Sequence, residues 1–563
     1  MSLILDGTSG LFGNVTGGDI SGNFIGLNGN GSSLTATATG STTARSLATR
    51  FADVVNVKDF GAVGDGVTDD TAAIQAAIDS LGAVGGMVQL PPGTYKVSST
   101  LNISSYIYLK GSGAVSSSIL TSSSTGNVIY INGVSNSPGC TVENLFFNSS
   151  VTRTAGSYIV SNSSNGTFVK NCKMYSAFDG ISITGTSAQC IKIEDCQIDN
   201  TVNYGINITA FNNTSPNTSG IVVSYISRVL VTGAVTPNNC EAGIRIVSAG
   251  DLTLYGVSTI YCKKGLHICP TGTNTIQALN VTDSFFDTGD EFGISVTPEA
   301  TASVRLVNFT NVWCASNKMS GALLGGTGQV ITTNWVNCTM AANIGQGLWI
   351  TSTLAKNTSV IGGVYAQNSG SGFGIVGGVS NFKIIGATIG RTDSNGYAFG
   401  PNAGYGINLI AGSSDSYIIS NNIFTENTTG QLFDGGSGVE KITYPNLGAG
   451  TPVTTNAVPS TQWGINYSQQ GFYPISASGT YELAVGSGMV MLHNNNDGSL
   501  GLFLAYAGLV TKVSGSATMV SGAAGANQIG LAYNSGAGKY QISNGFATTQ
   551  NIYIAGLQTR NLS

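Results

Sequence analysis

A short pattern of apolar and polar positions recurs along the middle of the chain. It reads x-G-I-x-I, as in "DGISI" at 179, "YGINI" at 204 and "FGISV" at 292. Alternation with a period of two is typical of a β-strand that has one buried face. The aliphatic residues are therefore predicted to point inward and the polar residue between them outward. The glycines of the pattern are Gly180, Gly205, Gly243, Gly265, Gly293, Gly347 and Gly406.

The spacing of these glycines indicates a solenoid. Successive intervals include 25 residues (180 to 205), 22 (243 to 265) and 28 (265 to 293). Intervals in the mid-twenties fit one coil of a β-solenoid, in which each coil pairs with the next at about 4.8 Å. A leucine-rich repeat has a similar period, but its LxxLxL consensus is missing. We predict roughly ten coils over 110–440. The inward stack is Ile183, Ile208, Ile246, Ile268 and Val296, and the outward, solvent-facing row is Ser182, Asn207, Arg245, His267 and Ser295.

The best helical pattern follows an acidic, glycine-rich stretch. In "VVNVKDFGAVGDGVTDDTAAIQAAID" (54–79) the apolar residues from Ile74 onward lie at helical spacing. Asp69 or Asp70 is placed to cap the first turn, and the glycines suit the turn that precedes it. A calcium loop would need regularly spaced ligands closed by a late Glu. Capping and turns are therefore the favoured interpretation, and a metal loop is the alternative.

Composition supports a β-rich chain of several units. The 563 residues exceed one compact core, and only 9% are charged while 41% are hydrophobic. Disorder needs the opposite balance, so many short strands with frequent turns are expected. The formal charge of −5 argues against a nucleic-acid partner.

Several other classes of protein find no support in the sequence. The start "MSLILDGTSG" has no basic n-region or long apolar run, so no secretory signal peptide is predicted. No run of eighteen apolar residues predicts a membrane span. The nine cysteines form no CxxC or Cys/His cluster, so no metal or other cofactor is expected, and most cysteines lie in apolar strand patterns.

Two adjoining stretches resemble a known superfamily. "FADVVNVKDFGAVGDGVTDDTAAIQAAID" followed by "GGMVQLPPGTYKVSSTLNISSYIYLKGSG" is similar to the opening of the pectate-lyase-like superfamily, in the version found in bacteriophage tailspike proteins. The direct match covers roughly 50–113. This resemblance implies a right-handed, single-stranded parallel β-helix that is homotrimeric, mounted on a virion and active on bacterial surface polysaccharide. The motif opens the β-helix and carries no catalytic residues, so the resemblance transfers none.

The expected fold class is all-β: a right-handed parallel β-helix with one short N-terminal capping α-helix and a C-terminal antiparallel, jelly-roll-like β-domain. The N-terminal segment is expected to join a phage tail or adaptor protein, although a floppy tail is the alternative. The protein would then be made in the host cytoplasm and carried on the virion. The C-terminal domain is expected to lock a trimer or bind carbohydrate, and trimer locking is favoured. The predicted units are an attachment segment (1–50), a neck and cap (51–113), the β-helix (114–440), a linker (441–470) and the C-terminal β-domain (471–563).

Scarce carboxylates mark a candidate active site. Two residues before the marker glycine of three successive coils are Glu241, Lys263 and Glu291, which the register places in one surface row. Two coil spacings put the two glutamates about 10 Å apart at the backbone, close to the 6.5–9.5 Å between the two carboxyl groups of an inverting glycosidase. Asp287 and Asp290 are expected on the turn that precedes Glu291. We assign the general acid to Glu291 or Asp290, and the base or nucleophile to Glu241 or Asp287.

Two other interpretations of this row stay open. It can be a surface ion-pair ladder without catalytic meaning. It can also belong to a lyase in which Lys263 is the base and Arg245 neutralises a uronate.

Residues near the row are candidates for binding sugar. Arg245 and His267 offer hydrogen bonds or charge, although for His267 alone the role of a bystander is favoured over that of a base. Tyr261, Trp313 and Trp349 can stack on sugar faces, or they can simply cover coil corners. The sequence thus predicts an endo-acting polysaccharide depolymerase; a non-cleaving adhesin and a passive structural protein are the rival hypotheses.

Overall fold

A computed structural model gives the structure of two compact units, Met1–Val458 and Pro459–Ser563. Each unit is described separately. The described residues are 35–104, 106–133, 139–162, 166–185, 190–209, 224–234, 240–392, 399–443, 445–448, 453–454, 466–475, 480–483, 488–494, 496–497, 499–506, 509–535 and 539–558.

The first unit is a parallel β-solenoid of about 13 turns, which confirms the predicted architecture. Between the first and last described coils, each coil contributes one strand to each of three sheets, in the order sheet 2, sheet 3, sheet 1. Sheet 1 contains Leu101–Ile103, Ile129–Asn132, Ser157–Asn162, Asp179–Thr184, Tyr204–Ile208, Ala242–Ile246, Lys264–Ile268, Phe292–Val296, Ala322–Leu324, Leu348–Ile350, Phe373–Ile375, Tyr405–Gly412, Gly430–Gly436 and Val453–Thr454. Sheet 2 contains Val54–Asn56, Gly86–Leu90, Ile107–Gly111, Thr141–Glu143, Phe168–Lys170, Lys192–Glu194, Ser224–Ser227, Ala249–Tyr255, Thr275–Thr282, Ser303–Thr310, Gln329–Val336, Ala355–Ile361, Phe382–Ile385, Tyr417–Ser420 and Lys441–Ile442. Sheet 3 contains Asp65–Asp69, Gly93–Val97, Ser117–Thr121, Phe146–Ser149, Lys173–Tyr175, Gln197–Thr201, Leu230–Gly233, Ser258–Ile260, Phe285–Asp287, Trp313–Ala315, Thr339–Ala341, Val364–Ala366, Thr388–Gly390 and Ile423–Thr425.

The bore of the solenoid is filled by the predicted aliphatic stack. Its five predicted members on sheet 1 are at most 1% exposed, and most of the nine cysteines are buried as free thiols. The outward row is in register from Ser182 to Ser295 as predicted. Its exposure differs from the prediction, because both serines are buried (4% and 1% exposed). Ser295 is short and lies between the longer His267 and Leu323 of the adjacent coils.

The marker glycines are required by a close approach between coils. A Cβ atom on Gly265 would lie 2.6 Å from the carbonyl oxygen of Gly293, and one on Gly293 would lie 2.7 Å from that of Gly321. No Cβ atom is tolerated at such distances, so each coil turns into sheet 1 on a glycine. This column contains Gly180, Gly205, Gly243, Gly265, Gly293, Gly321, Gly347, Gly372 and Gly406. The sequence pattern missed Gly321 and Gly372.

Buried asparagines stack in the turn from sheet 3 to sheet 1. The side-chain amide nitrogen of each donates to the side-chain oxygen of the next, at 2.8–2.9 Å. The stack begins next to the predicted site, because the amide N–H of Gly289 donates to Asn317 Oδ1 at 2.9 Å. Burial and mutual hydrogen bonding hold this turn in one conformation from coil to coil. We call this set the asparagine ladder: Asn317, Asn343, Asn368, Asn402 and Asn427.

The N-terminal end of the solenoid carries the predicted helix, Thr71–Asp79. Asp69 accepts a hydrogen bond from the amide of Thr71 at 3.1 Å. Asp70 makes no side-chain cap bond; its carboxylate accepts from the amides of Val63 (2.6 Å) and Gly64 (3.1 Å) and closes the glycine-rich turn. The acidic stretch is thus used for chain geometry. The structure adds a short helix (Leu47–Phe51), a 3₁₀ helix (Val57–Phe60) and a hairpin (Thr35–Thr37 with Ala44–Ser46).

The second unit is an antiparallel β structure, as predicted for the C-terminal region. Its first sheet has the strand order Asn466–Ile475, Gln550–Gln558, Gly488–Asn494, Leu500–Tyr506 and Leu509–Gly515. Its second sheet has the order Thr480–Leu483, Lys539–Asn544, Ile529–Asn534 and Met519–Ser521, in which only the last described pair is parallel. Both predicted strand–turn–strand units are hairpins.

Some predictions fall on residues outside this description. Residues 1–34 of the predicted attachment segment and most of the predicted linker are not among the described residues. The predicted neck and cap segment, 51–113, contributes strands to all three sheets. Among the described helices, none is long and apolar enough to cross a bilayer.

Candidate active site on the corner between sheets 3 and 1

Most of the predicted catalytic residues lie on one edge of the solenoid, where each coil turns from sheet 3 into sheet 1. Register pairs Tyr204 with Ala242, Ala242 with Lys264 and Lys264 with Phe292. Glu241 and Glu291 directly precede two of these residues, so two coil spacings, about 10 Å, separate their backbones as predicted. We call this surface the acidic corner and define it as Asp179, Glu241, Tyr261, Lys263, Lys264, Asp287, Asp290 and Glu291.

Both glutamates of the row are held by lysines. Glu241 forms an ion pair with Lys263, and Glu291 forms one with Lys264 at 2.6 Å. The glutamate side chains are 43% and 34% exposed, so solvent reaches both. The ion pair with Glu241 raises the pKa of Lys263. A raised pKa keeps this lysine protonated, which weakens its case as the base of a lyase.

Asp287 and Asp290, two of the three aspartates of the corner, have separate surroundings. Asp290 lies in the turn and pairs with Lys318 at 2.5 Å. Asp287 ends a strand of sheet 3 rather than lying on the turn, and its Oδ2 accepts from Trp313 Nε1 at 3.3 Å. The ring of Trp313 lies 5.6 Å from that of Phe399, which orients the indole beside the carboxylate. The hydrogen bond therefore holds the Asp287 carboxylate and the Trp313 indole next to each other.

The predicted sugar-binding residues of sheet 1 lie in one outward row beside the corner. The guanidinium of Arg245 stacks over Tyr204 at 5.1 Å and donates to Asn207 at 3.2 Å. His267 pairs with Arg245 in register, and its Nε2 lies 3.1 Å from Thr297 Oγ1. Burial lowers the pKa of His267 to about 3, so at neutral pH it offers a hydrogen bond and no charge.

Trp349 is farther from the corner than the other aromatic candidates. Its register partner is Leu323, which pairs with Ser295, so it lies three coils beyond His267. Tyr261 lies in the turn before Lys263 with a φ of 59° and is 40% exposed. A bulky residue rarely adopts this backbone conformation.

Asp179 is a carboxyl group that the sequence reasoning missed. It begins a strand of sheet 1, in register with Tyr204. Its Oδ1 accepts from Asn203 Nδ2 at 2.9 Å and from the amide of Tyr204 at 3.1 Å. Burial raises the pKa of Asp179 to about 6, against the opposing effect of these hydrogen bonds and of Arg245. It stands in the quoted "DGISI" directly before Gly180, so the row of residues two before each marker glycine does not include it.

The acidic corner can perform acid–base chemistry on a bound chain. Two coil spacings, about 10 Å, separate Asp179 from Ala242, which adjoins Glu241, and the same distance separates Glu241 from Glu291. Glu241 thus lies between two possible partner carboxyls. A pair of carboxyl groups, one protonated and one ionised, is what glycoside hydrolysis requires. Within the described residues, no group of three or more His, Cys, Asp or Glu side chains is arranged to hold a metal ion.

Comparison with known proteins gives matches of two kinds. Residues 54–267 match the family model described as rhamnogalacturonase A/epimerase, pectate lyase-like. The mannuronan C5-epimerase AlgE5 of Azotobacter vinelandii is 58% identical over 66 residues, 10% of this chain and 7% of the relative. Alginate lyase 7 of the same organism is 56% identical over 66 residues, 10% of this chain and 8% of the relative. The chain thus spans only a small part of these curated relatives.

Solved structures match over most of the chain. A mutant tailspike protein of E. coli bacteriophage HK620, in complex with pentasaccharide, is 12% identical, with a TM-score of 0.53. The match covers 94% of this chain and 98% of that one. At this identity the likeness establishes the fold and leaves the function open. Residues 54–267 therefore match a pectate-lyase-like family model, within a chain that has the parallel β-helix fold of a phage tailspike.

Proposed function

We propose that the protein is a homotrimeric, virion-mounted phage tailspike that binds and depolymerises bacterial capsule, exopolysaccharide or O-antigen. Its reaction is endo-glycoside hydrolysis by paired carboxyl groups. The observation that carries this proposal is the acidic corner: carboxyl groups at two-coil intervals on a rigid rod, in a chain with only 9% charged residues. The fold neighbours, one of them named as bound to a pentasaccharide, support the same class of substrate.

The roles in hydrolysis follow from the carboxyl groups of the corner. One carboxylic acid protonates the glycosidic oxygen, and one carboxylate activates water or attacks the sugar. The sequence assigns the first role to Glu291 or Asp290 and the second to Glu241 or Asp287. Glu241 best fits the second role, because its ion pair with Lys263 holds a charged carboxylate that is still 43% exposed.

Substrate binding would use the side chains around the corner. Arg245 presents a guanidinium fixed by its stacking on Tyr204, and Tyr261 and Trp313 present aromatic faces. Aromatic side chains stack on apolar ring faces and so can hold successive sugars. His267 and Trp349 extend this surface along sheet 1. The N-terminal segment would attach to the phage tail or an adaptor, and the C-terminal unit would lock the trimer.

A reducing-sugar assay on the purified protein with polysaccharides of candidate host bacteria tests this proposal. We expect cleavage by the wild-type protein and a loss of about 100-fold or more in Glu241→Gln. The matched control is Glu426→Gln, which removes a carboxylate that also pairs with a cation, Arg391 at 2.5 Å. Glu426 directly follows a strand of sheet 3 that lies five coils beyond Asp287, so it is outside the acidic corner. Equal activity in the two variants would remove Glu241 from the site.

A polysaccharide lyase is the second candidate. Lys263 and Lys264 at the corner and Arg245 beside it would supply the positive charge that neutralises a uronate. The names of the family model and of the relatives include epimerase and lyase. Elimination leaves a carbon–carbon double bond, so products that absorb in the ultraviolet would favour a lyase over a hydrolase. Binding without release of saccharide would favour an adhesin.

A further inference from the structure

The carboxyl groups of the acidic corner differ in how their charge is supported. Glu241, Glu291 and Asp290 each form an ion pair with a lysine. A neighbouring cation favours the ionised form of a carboxyl group and therefore opposes its use as a proton donor. Asp179 forms no ion pair among the described residues, and its described hydrogen bonds come from an amide side chain and a backbone amide.

We propose that Asp179, and not Glu291 or Asp290, is the proton donor that works opposite Glu241. This inference rests on the proposed hydrolytic function and names the acid of that same site. Two coil spacings, about 10 Å at the backbone, separate Asp179 from Ala242, which directly follows Glu241. Side chains that lean toward each other across this distance reach the roughly 6.5–9.5 Å between the carboxyl groups of an inverting glycosidase. Both described hydrogen bonds of Asp179 end on Oδ1, so Oδ2 is the oxygen that carries the proton.

The groups that face Asp179 explain how it keeps a proton. Arg245 and Arg153 attract the ionised form, but Arg245 is engaged by Tyr204 and Asn207, and Arg153 donates to backbone carbonyls at 2.6–3.0 Å. Neither arginine forms an ion pair with Asp179 among the described contacts. Burial is the largest influence and raises the pKa of Asp179 to about 6.

Two further titratable groups, Tyr204 and Cys240, lie within electrostatic reach of Asp179. Glu241 and Asp179 both act on Tyr204 and on Cys240, so the two carboxyl groups share one environment. Tyr204 and Cys240 are neutral at the working pH, because burial raises the pKa of each. Burial is therefore the influence that favours a protonated Asp179.

The proposed step is balanced in atoms and charge. The proton on Asp179 Oδ2 passes to the glycosidic oxygen as the bond from that oxygen to the anomeric carbon breaks. The oxygen of a water molecule bonds to the anomeric carbon, and the proton released by that water passes to Glu241. Exchange with solvent then returns Asp179 to the acid and Glu241 to the carboxylate.

The experiment compares Asp179→Asn, Glu291→Gln and Asp290→Asn on a polysaccharide that the wild-type protein cleaves. We expect kcat to fall 100-fold or more in Asp179→Asn with binding of polysaccharide within threefold of wild type, and to fall less in Glu291→Gln and Asp290→Asn than in Asp179→Asn. Glu426→Gln, the control outside the acidic corner, should keep the wild-type rate. Wild-type activity should also decline above about pH 6, as Asp179 loses its proton. Asp179→Glu, which retains an acid, should recover part of the activity.

A stability measurement checks the same assignment without any substrate. A carboxyl group whose folded pKa lies above its ordinary value destabilises the fold as pH rises from about 4 to about 6. Asp179→Asn should therefore melt at a higher temperature than wild type above pH 6, with no difference near pH 4. This readout also shows that the variant is folded.

The failure of this inference is distinguishable from failure of the proposed function. Full activity in Asp179→Asn, or a loss confined to Glu291→Gln, would overturn the assignment while hydrolysis stands. A wild-type protein that binds polysaccharide and releases no saccharide would overturn both. A melting temperature of Asp179→Asn equal to that of wild type at every pH would show that Asp179 does not hold a proton.

Discussion

Replacing Asn368 by leucine should loosen the turn from sheet 3 to sheet 1 far more than any surface substitution. Its side chain makes four hydrogen bonds of 2.9–3.2 Å, with the side chain and amide of Asn343, with Asn402 and with the carbonyl oxygen of Met340. In Asn368→Leu the buried backbone N–H of Asn343 loses its described acceptor. An orphaned buried donor costs roughly 1–3 kcal/mol and each lost bond roughly 0.5–1.5 kcal/mol, so we expect a local loss of about 3 kcal/mol after the apolar gain of leucine.

Hydrogen exchange read by mass spectrometry measures this loss where it occurs. A cost of about 3 kcal/mol corresponds to about 150-fold faster exchange in peptides that cover 339–345 and 364–370. The control is Asn308→Leu, which removes two amide–amide bonds of 2.8 Å from a partly exposed stack on sheet 2, where water replaces them. Exchange in the two peptides within threefold of wild type, or equal effects of the two substitutions, would refute a structural role for the buried ladder.

Three further outcomes follow from the packing of the solenoid. Gly265→Ala should lower the melting temperature, because its Cβ atom would meet a carbonyl oxygen at 2.6 Å and overpacking costs roughly 1–3 kcal/mol. The control Gly250→Ala, which has open space around its Cβ position, should leave the melting temperature unchanged. Lys441→Met should destabilise the first unit by roughly 3 kcal/mol, because it leaves the buried Asp434 charge unpaired. Recovery of the melting temperature when Asp434→Leu is added would support this reasoning. An unchanged melting temperature in Lys441→Met alone would contradict it. The folded pKa of His267, about 3, lies below its ordinary value, so wild-type stability should fall as pH drops from about 6.5 toward 3. In His267→Gln the melting temperature should depend less on pH over this range. An equal pH dependence in the variant and the wild type would show that another group is responsible.

The sequence predicted the repeat because the solenoid has a local requirement in every coil. A glycine must stand where adjacent backbones approach, and two aliphatic residues must follow with polar alternation. The pattern does not identify Gly321 and Gly372, because Ala322 in "GALL" and Phe373 in "GFGI" stand where the pattern has an isoleucine. The asparagine ladder also escaped, since its members lie 25 to 34 residues apart in turns of variable length.

The sequence predicted which part of the solenoid carries the candidate site, but not the contacts between its side chains. Register along the strands follows from the repeat, so the order of residues alone places Glu241, Lys263 and Glu291 in one row. The choice of ion-pair partners does not follow from the repeat, because a lysine side chain is long enough to reach carboxylates on its own coil or on a neighbouring one. Only the structure pairs Glu291 with Lys264 and Asp290 with Lys318.

The amino-acid sequence by itself determined the fold, the coil period and the inward face, because each depends on residue types that recur at fixed local spacing. The tertiary structure alone decided which carboxyl group of the acidic corner is buried and which is paired with a cation. Burial of Asp179 beside Asn203 and Tyr204 comes from stacking one coil on the next, and the same stacking leaves Glu241 exposed and paired with a cation. Charge on a carboxyl group responds to its surroundings in space, and those surroundings exist only after the coils are assembled.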